Sequence, residues 1–374
     1  MAAGSSVIGD SPGRAKPPDP LPRVLVFNFF ADLKARGIPA YTAGLLQSLA
    51  HLGVPAIELK APRWAVRLPP MLQNLLFVAY EQLVAPWLSR WHGCSLSIYP
   101  YNSVGLIDAV AGRAVMVVHD LIPSRRDSDG LAARYIRTCQ RGHTWLRRPV
   151  AAVSRHTLRQ LQRLPRFAPC EKYLWANPFY AFEAALAGHR VPLRRAGGET
   201  RVLLCSGSGP NKQFREALRL LTRLPDPKTW RVRVLGFGDE AALAVRRVEA
   251  LPPVWRDRVE VLPKLDLDEI VREYLGADLV WVHSRAEGFG RPVVEARLCG
   301  RPVLASDIGA FRQLRKLHHV HLYREDSFDS AVGLARADAA KPCGHARAAF
   351  LHDQLEQEVM RLLTERPDRA RRSR

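Results

Sequence analysis

The stretch that decides the fold is Leu279-Val-Trp-Val-His-Ser-Arg-Ala-Glu-Gly-Phe-Gly-Arg-Pro-Val-Val-Glu295. It opens with an apolar run typical of a buried strand, then enters a glycine-containing loop and a proline suited to the first turn of a helix. Ligands of open parallel sheets bind beyond the carboxyl ends of the strands, and helix N-terminal amides favour anions. The stretch therefore predicts a ligand-binding loop at the carboxyl edge of a parallel sheet.

Two carboxylates lie in this stretch, with seven residues between them. We expect Glu295 in the first turn of the helix, facing back toward the loop that carries Glu287. Such a pair can bracket one polyhydroxylated ligand, each carboxylate accepting hydrogen bonds from a different part. A helix whose acidic first turn is favoured by its dipole accounts for the same residues equally well.

Short β-rich runs alternate with longer helical patterns along the rest of the chain. They cover residues 23–28, 114–118, 150–153, 201–205, 231–235, 258–262, 279–282 and 302–305. Their apolar residues do not alternate cleanly with polar ones, as is usual for strands buried on both faces of a parallel sheet. The pattern predicts an α/β chain with doubly wound parallel sheets.

A chain of 374 residues exceeds what one hydrophobic core usually serves, so we expect two domains. Residues 1–22 are predicted to be a disordered leader, and 23–181 the N-terminal domain. Residues 182–200, rich in Gly and Pro among charges, are the predicted linker, and 201–345 the C-terminal domain. Residues 346–374 are predicted to form a helix, able to pack back on the N-terminal domain, and a basic tail.

The net charge of +20 points to an anionic partner: nucleic acid, an acidic membrane surface or a phosphorylated small molecule. The six cysteines form no CxxC pair, which favours reduced, mostly buried thiols over zinc ligands or disulfides. The sequence has no signal-peptide pattern and no apolar run long enough for a spanning helix. We therefore expect a cytoplasmic protein.

Two segments could form further surfaces. Residues 68–91 place apolar side chains at helical spacing, which favours a core-packing helix over interfacial membrane docking. The segment from Arg125 to Arg166 holds eleven arginines and only two acids, Asp127 and Asp129. A solvated helical face and an anion-attracting surface explain this second segment about equally well.

The segment Glu287-Gly-Phe-Gly-Arg-Pro-Val-Val-Glu295, followed by Gly300-Arg-Pro-Val303 and Ser306, resembles the signature of glycosyltransferase family 4, which comprises retaining enzymes of the GT-B fold. Weaker matches follow the family's order: Gly37-Ile-Pro-Ala-Tyr41, Tyr80-Glu-Gln-Leu-Val-Ala-Pro86, Tyr99-Pro-Tyr-Asn102, His119-Asp-Leu-Ile-Pro123, Val153-Ser154, Asn177-Pro178 and Lys212. Several of them are similar to segments of members that build cell-surface polysaccharides. The resemblance implies two Rossmann-like domains facing a cleft, with a nucleotide-sugar donor held by the C-terminal one.

The resemblance also implies roles for single residues. Glu295 would hold the ribose hydroxyls, and Glu287 with the backbone amides of Gly288, Phe289 and Gly290 would contact the sugar hydroxyls. Lys212 would bind the donor diphosphate without an obligatory metal, and the loop at Gly37 would approach that phosphate. His119 would lie near the transferred sugar, so the implied catalytic residues are His119 and Glu287.

Two departures from the family pattern concern the donor phosphates. Pro39 and Ala40 follow where the family often has a second glycine. Many members carry an arginine near the position of Ser208 or just before the lysine, and Arg215, one turn on, could supply that charge here. We therefore include Ser208 and Arg215 among the expected donor contacts.

The implied function is transfer of a hexose or deoxyhexose from a nucleotide-diphosphate sugar to an acceptor hydroxyl. The acceptor would be a lipid-linked oligosaccharide in O-antigen, capsule or similar polysaccharide synthesis. The segment from Arg125 to Arg166 would attract that acceptor or an anionic membrane at the inner face of the cell membrane. Three alternatives stay open: an inactive donor-binding homologue, a nucleotide-sugar epimerase or hydrolase of the same fold, and a nucleic-acid-binding protein.

Overall fold

The computed structural model describes residues 21–32, 37–122, 130–190, 198–341 and 343–372. Several predictions concern segments outside these described residues. They are the leader up to residue 20, residues 123–129 with Arg125 and Arg126, residues 191–197 of the linker, and the side chains of the basic tail.

The described residues form two parallel sheets and the helices that cover them. The strands are β1 (Val24–Phe27), β2 (Ala56–Leu59), β3 (Leu96–Tyr99), β4 (Ala114–Val118), β5 (Val150–Ala152), β6 (Lys172–Leu174), β7 (Thr200–Cys205), β8 (Trp230–Leu235), β9 (Val259–Val261), β10 (Leu279–Val282), β11 (Val303–Ser306) and β12 (Val320–Tyr323). The helices are α1 (Ile38–His51), α2 (Pro70–Ala79), α3 (Ala85–Trp91), α4 (Leu106–Val110), α5 (Leu131–Trp145), α6 (Arg155–Arg163), α7 (Tyr180–Ala187), α8 (Phe214–Leu221), α9 (Ala241–Glu249), α10 (Pro253–Arg256), α11 (Leu267–Gly276), α12 (Arg291–Leu298), α13 (Gly309–Arg312), α14 (Phe328–Ala339) and α15 (Ala349–Arg372).

The first sheet has the strand order β2-β1-β3-β4-β5-β6, and each neighbouring pair is parallel. Strand order reverses direction between β1 and β3, where Val24 lies in register with Leu96. In open parallel sheets this reversal leaves a crevice beyond the carboxyl ends of the two strands. The loops that follow β1 and β3 therefore border a natural ligand crevice.

The second sheet has the order β12-β11-β10-β7-β8-β9, again with parallel neighbours. Renumbered from its own first strand, this is the Rossmann order 3-2-1-4-5-6. The reversal lies between β7 and β10, where Val202 pairs with Leu279. The prediction of an α/β chain with two Rossmann-like, doubly wound domains is confirmed.

The strands form because their apolar side chains have neighbours on both faces of each sheet. All five residues of β4 and all four of β10 are buried, which is why their sequences show no alternation. Polar side chains cap some of the covering helices. Ser154 Oγ accepts from the Thr157 amide at the start of α6, and Asp266 with Glu269 forms a capping box on α11.

The expected strands are all present, and no strand end differs from its expected position by more than one residue. Strands β2, β3, β6 and β12 were not predicted. They are three or four residues long, and β2 and β12 are only partly buried, so neither gives a long apolar run. Strand pairing in the folded chain, and not local pattern, determines these elements.

The last helix contacts the first half of the chain. Helix α15 packs on α1 and on β6, the edge strand of the first sheet. Its His352 Nε2 accepts a hydrogen bond from the Phe179 amide at 3.0 Å, and its Glu356 carboxylate accepts from the Tyr180 hydroxyl at 2.7 Å. These contacts join the C-terminal helix to the segment that follows the first sheet.

The segment 68–91 does not form the core-packing helix that its sequence favours. It folds as α2, a π-helical turn over Tyr80–Val84, and α3, and the widened turn lies just before Pro86, which lacks an amide hydrogen. The predicted apolar stripe has eight positions, and all of them except Leu68 and Leu76 face outward, so the core-packing interpretation is wrong. These exposed positions are Met71, Leu72, Leu75, Leu83, Trp87 and Trp91.

The structure also bears on the expectations for the cysteines and for membrane-spanning helices. The six cysteines are free, and all except Cys343 are buried. In the part of the chain that the structure describes, no helix combines the length and apolar character needed to cross a membrane.

Candidate functional site

The site forms where strand order reverses in the second sheet, because the loops after β7 and β10 meet there. A 3-10 turn at Pro210–Lys212 follows β7 and carries Lys212. The loop after β10 carries Glu287, and Lys212 Nζ lies 2.5 Å from Glu287 Oε1. Both side chains are mostly shielded from solvent, so this ion pair is stronger than one on an open surface.

A cavity of about 330 Å³ opens at this pair and extends to the first sheet. Residues from both halves of the chain line it. They are Gly37, Ile38, His119, Asp120, Val153, Asn177, Ser206, Lys212, Gly236, Glu287, Gly288, Phe289, Gly290, Arg291, Pro292 and Glu295. The residues that two distant sequence motifs singled out thus surround one space between the two sheets.

Glu295 lies in the second turn of α12, not in the first as expected, because the helix begins at Arg291. Its carboxylate still borders the cavity. Glu295 Oε2 accepts a hydrogen bond from the Tyr274 hydroxyl at 2.8 Å, and Oε1 lies 3.5 Å from Arg291 Nε. With only 4% of the residue exposed, these partners hold the carboxylate in one orientation.

Two glycines allow the loop before α12 to pass close to other groups. Gly290 is the residue before the helix and has φ +98°, a conformation that side chains disfavour. A Cβ on Gly288 would lie 1.8 Å from the carbonyl oxygen of His119 in the other half of the chain. Only glycine at position 288 permits this approach.

Hydrogen bonds hold the same loop against the first half of the chain. Ser154 Oγ donates to the Gly288 carbonyl at 2.6 Å. Thr157 Oγ1 reaches both the Gly288 carbonyl, at 3.2 Å, and the His119 carbonyl, at 3.0 Å. The start of α6 therefore joins the two walls of the cavity.

His119 follows β4 and contributes its ring to the cavity wall. Its ring stands edge-on to that of Tyr41, with 4.8 Å between the centroids. Burial, together with the charge of Arg291, lowers the pKa of His119 to about 3, although a hydrogen bond to the Pro100 carbonyl acts in the opposite direction. Nε2 is buried without a hydrogen-bond partner among the described residues, so the neutral ring offers an acceptor there.

Gly37 places the start of α1 at the cavity. It precedes the helix with φ +78°, and Pro39 occupies the first turn. Gly37 and Ile38 both line the cavity, and no described side chain caps this 14-residue helix. Its first amides are therefore available to an anion.

Two of the residues predicted to contact the donor do not lie at the cavity. Ser208 and Arg215 are exposed and are not among the residues that line the cavity. Gln213, between Lys212 and α8, adopts the left-handed conformation and redirects the chain there. The role expected for these two residues stays a prediction.

Sequence reasoning missed Ser206 and Gly236 of the cavity wall. Asn177 and Arg291 lie in matching motifs, but the sequence assigned them no role. Ser206 and Gly236 directly follow β7 and β8, so the rule that ligands bind beyond the ends of parallel strands would have found them. The Arg291 guanidinium lies 4.3 Å from the centre of the Phe179 ring and donates to the Pro178 carbonyl at 3.1 Å.

A second cavity of about 720 Å³ shares Asp120 and Glu287 with the first. Four arginines line it: Arg163, Arg166, Arg285 and Arg312. The basic segment is thus divided, because Arg163 and Arg166 face this cavity, whereas Arg148 donates to the carbonyls of Ala109 and Val110. Within the described residues, no group of three His, Cys, Asp or Glu side chains is arranged to hold a metal ion.

Residues 190–327 match the family described as Glycosyl transferases group 1. A D-inositol 3-phosphate glycosyltransferase of Mycobacterium sp. strain KMS is 35% identical over 142 residues, which are 36% of this chain and 31% of that protein. The chain therefore aligns with less than a third of that relative's length.

Solved structures share the whole fold at low sequence identity. Sucrose-phosphate synthase from Thermosynechococcus elongatus superposes with a TM-score of 0.60 at 15% identity, covering 92% of this chain and all of that one. Anabaena HepE, solved in complex with UDP and glucose, gives 0.58 at 16% identity over the same shares. The GT-B fold implied by the sequence resemblance is confirmed by these neighbours.

Proposed function

We propose that this protein is a retaining glycosyltransferase. It moves a hexose or deoxyhexose from a nucleotide-diphosphate sugar to an acceptor hydroxyl. The observation that carries the proposal is the convergence of Lys212, Glu287, Glu295 and His119 on one cavity between two Rossmann-like sheets. The match of residues 190–327 to Glycosyl transferases group 1 supports it.

In this proposal the nucleoside diphosphate binds against the second sheet. The oriented carboxylate of Glu295 accepts hydrogen bonds from the ribose hydroxyls. Lys212 and the first amides of α1 stabilise the diphosphate. Arg291, which lines the same wall, adds a second cation. The structural neighbour HepE was solved in complex with UDP and glucose, which supports a nucleotide-sugar donor.

The sugar lies between the Gly288–Gly290 loop and His119. Glu287 and the loop amides contact its hydroxyls, and neutral His119 accepts a hydrogen bond from another hydroxyl at Nε2. The acceptor oxygen bonds to the anomeric carbon as the bond from that carbon to the diphosphate oxygen breaks. The acceptor's proton passes to the leaving diphosphate, whose growing charge Lys212 stabilises.

The acceptor occupies the 720 Å³ cavity, which meets the donor cavity at Glu287. The side chains of Arg163 and Arg285 have no hydrogen-bond or ion-pair partner among the described residues. Two cations without a partner among the described residues suit an acceptor that bears phosphate. A lipid-linked diphosphate oligosaccharide, as used in surface polysaccharide synthesis, and a soluble phosphorylated polyol share this chemistry. The names of the curated relatives support the second source.

The first experiment measures thermal stability with UDP, GDP, ADP and dTDP, with magnesium and with EDTA. The proposal expects one base to stabilise the wild type without magnesium, by about 2.7 kcal/mol at 100 times its dissociation constant. Glu295→Gln should lose this response, whereas the exposed Glu249→Gln on α9 should keep it. If no nucleotide stabilises the wild type, the donor site is not functional and the proposal fails.

Turnover assays then separate the alternatives and the two acceptor sources. Product that appears without any acceptor indicates an epimerase or hydrolase, and nucleotide binding without turnover indicates an inactive homologue. Arg163→Ala/Arg285→Ala should raise KM for a phosphorylated acceptor but not for the same acceptor without phosphate. Parallel assays with a soluble sugar phosphate and with a lipid-linked diphosphate sugar identify the source.

A further inference from the structure

The outer face of α2 and α3 is apolar, and no packing partner among the described residues covers it. We define the α2–α3 face as the exposed apolar residues of these helices and of the 3-10 turn before them. They are Trp64, Val66, Met71, Leu72, Leu75, Leu83, Trp87 and Trp91. Met71 is 70% exposed and Trp91 is 73% exposed. Contiguous apolar patches on a protein surface mark interaction sites.

The inward side of the same segment packs on the core of the first half of the chain and includes two buried polar residues. It buries Glu81 and Ser89 beside Phe77 and Ala85. The Glu81 carboxylate accepts hydrogen bonds from Ser103 and Tyr135, so this side is fixed to the first sheet and α5. Because these hydrogen bonds fix the orientation of the helices, the helices cannot rotate to bury the outer face. The outer face therefore stays exposed to solvent.

Two tryptophans form the end of this face. Trp87 and Trp91 stack, with ring centroids 5.6 Å apart and planes 25° from parallel. Both indole rings are more than half exposed. Tryptophan is enriched where one end of a side chain lies in an apolar phase and the other in water, as at the surface of a bilayer.

The exposed charges within residues 61–119, the part of the sequence that forms the face, have one sign. From residue 61 to residue 119 the sequence holds two acids, Glu81 and Asp108, and both are buried. Arg63, Arg67 and Arg90 are exposed beside the apolar residues. A surface that combines exposed tryptophan and leucine with arginine alone is complementary to anionic lipid headgroups.

We propose that the α2–α3 face docks on a lipid bilayer that contains anionic headgroups, with its apolar residues in the interfacial region. A second copy of the chain fits less well, because symmetric pairing would bring the same arginines together, and residues 61–119 offer no exposed acid to compensate them. Docking on a bilayer would bring the active site to a lipid-linked acceptor, so the biological purpose of docking rests on the proposed function. Docking itself is measured without turnover.

The experiment is cosedimentation of the full chain with vesicles of phosphatidylcholine, with and without phosphatidylglycerol. Wild type should bind the anionic vesicles. Trp87→Ser/Trp91→Ser should weaken that binding by roughly tenfold or more, since two large apolar side chains no longer enter the bilayer. Arg63→Glu/Arg67→Glu/Arg90→Glu should abolish the preference for phosphatidylglycerol.

The matched control is Val254→Ser/Leu334→Ser, which removes two similarly exposed apolar side chains from α10 and α14 in the second half of the chain. It should bind vesicles as the wild type does. Equal binding by the tryptophan variant and the wild type overturns the proposal. So does a wild-type dimer that Trp87→Ser/Trp91→Ser dissociates, since the face would then be a protein interface. Nucleotide-induced stabilisation, measured in parallel, should be unchanged in all these variants, so a failed donor site is recognised separately.

Discussion

Lys212 Nζ lies 2.5 Å from Glu287 Oε1, so the cation expected to bind the donor diphosphate is held by the carboxylate expected to contact the sugar. The two residues come from loops after β7 and β10, the strands between which the second sheet reverses its order. A phosphate that enters the cavity must compete with Glu287 for the ammonium group. The pair thus keeps Lys212 oriented and, in the absence of phosphate, prevents an unpaired charge in a mostly shielded site.

Replacement of Lys212 by alanine should weaken nucleoside diphosphate binding by roughly 10- to 150-fold, the effect of losing one charge-assisted hydrogen bond of ~1.5–3 kcal/mol. The variant also leaves Glu287 without its cation, and the free carboxylate repels phosphate. Lys212→Ala/Glu287→Gln should therefore bind the nucleotide more tightly than Lys212→Ala alone. Isothermal titration calorimetry of the three proteins measures both effects.

Arg215→Ala provides the control for a general loss of positive charge. Because Arg215 is exposed and does not line the cavity, its replacement should change the dissociation constant by about twofold or less. A loss as large as that of Lys212→Ala would instead support the direct phosphate contact expected from the sequence.

The sequence was most informative where one continuous stretch both determines the secondary structure and carries residues of the site. The apolar run of β10, the glycines of the following loop and Pro292 determine strand, turn and helix by themselves, and they place Glu287 and Glu295 at one sheet edge. Burial could not be predicted in the same way. An apolar stripe over residues 68–91 indicates helical spacing, but the side that faces inward depends on contacts distant in sequence, such as those of buried Glu81 with Ser103 and Tyr135.

Gly288→Ala should disrupt the joint between the two halves of the chain. Its Cβ would lie 1.8 Å from the His119 carbonyl oxygen, so the loops must separate by more than 1 Å. Displacements of about 1 Å can reduce turnover roughly 100-fold, and overpacking costs ~1–3 kcal/mol of stability. Steady-state kinetics and thermal unfolding measure the two consequences.

Gly333→Ala on α14 is the matched control, because no atom lies within 4 Å of the added Cβ. It should leave turnover unchanged and stabilise the helix by up to about 1 kcal/mol. Wild-type kinetics in Gly288→Ala would mean that the close approach of the two loops is not needed for the reaction.

His119 should act as a neutral group throughout the physiological range. Its pKa is lowered to about 3 by burial and the charge of Arg291, so protonation becomes appreciable only in strongly acidic solution. His119→Asn should reduce kcat by roughly three- to tenfold through the loss of one neutral hydrogen bond, with the pH profile between 5 and 9 unchanged in shape. An acidic limb near pH 6.5 that is present in wild type and absent from His119→Asn would contradict this.

Glu81 should make the stability of the first half of the chain depend on pH. Burial raises its pKa to about 7, despite opposing hydrogen bonds from Ser103, Tyr135 and Gln82. A raised folded-state pKa means that the folded protein binds the proton more tightly than the unfolded chain does. The stability from this group is therefore complete below pH 4.5 and declines as pH rises toward 7, by roughly 3 kcal/mol in all.

Denaturant unfolding of wild type and Glu81→Gln from pH 4.5 to pH 8 isolates this contribution, since titration of other groups such as His119 affects both proteins alike. The free energy of unfolding of wild type should fall relative to that of Glu81→Gln across this range, and the difference should level off above pH 8. A constant difference at all pH values would show that Glu81 titrates normally. The buried carboxylate would then be charged in the fold, and its bonds to Ser103 and Tyr135 would have to compensate its desolvation in full.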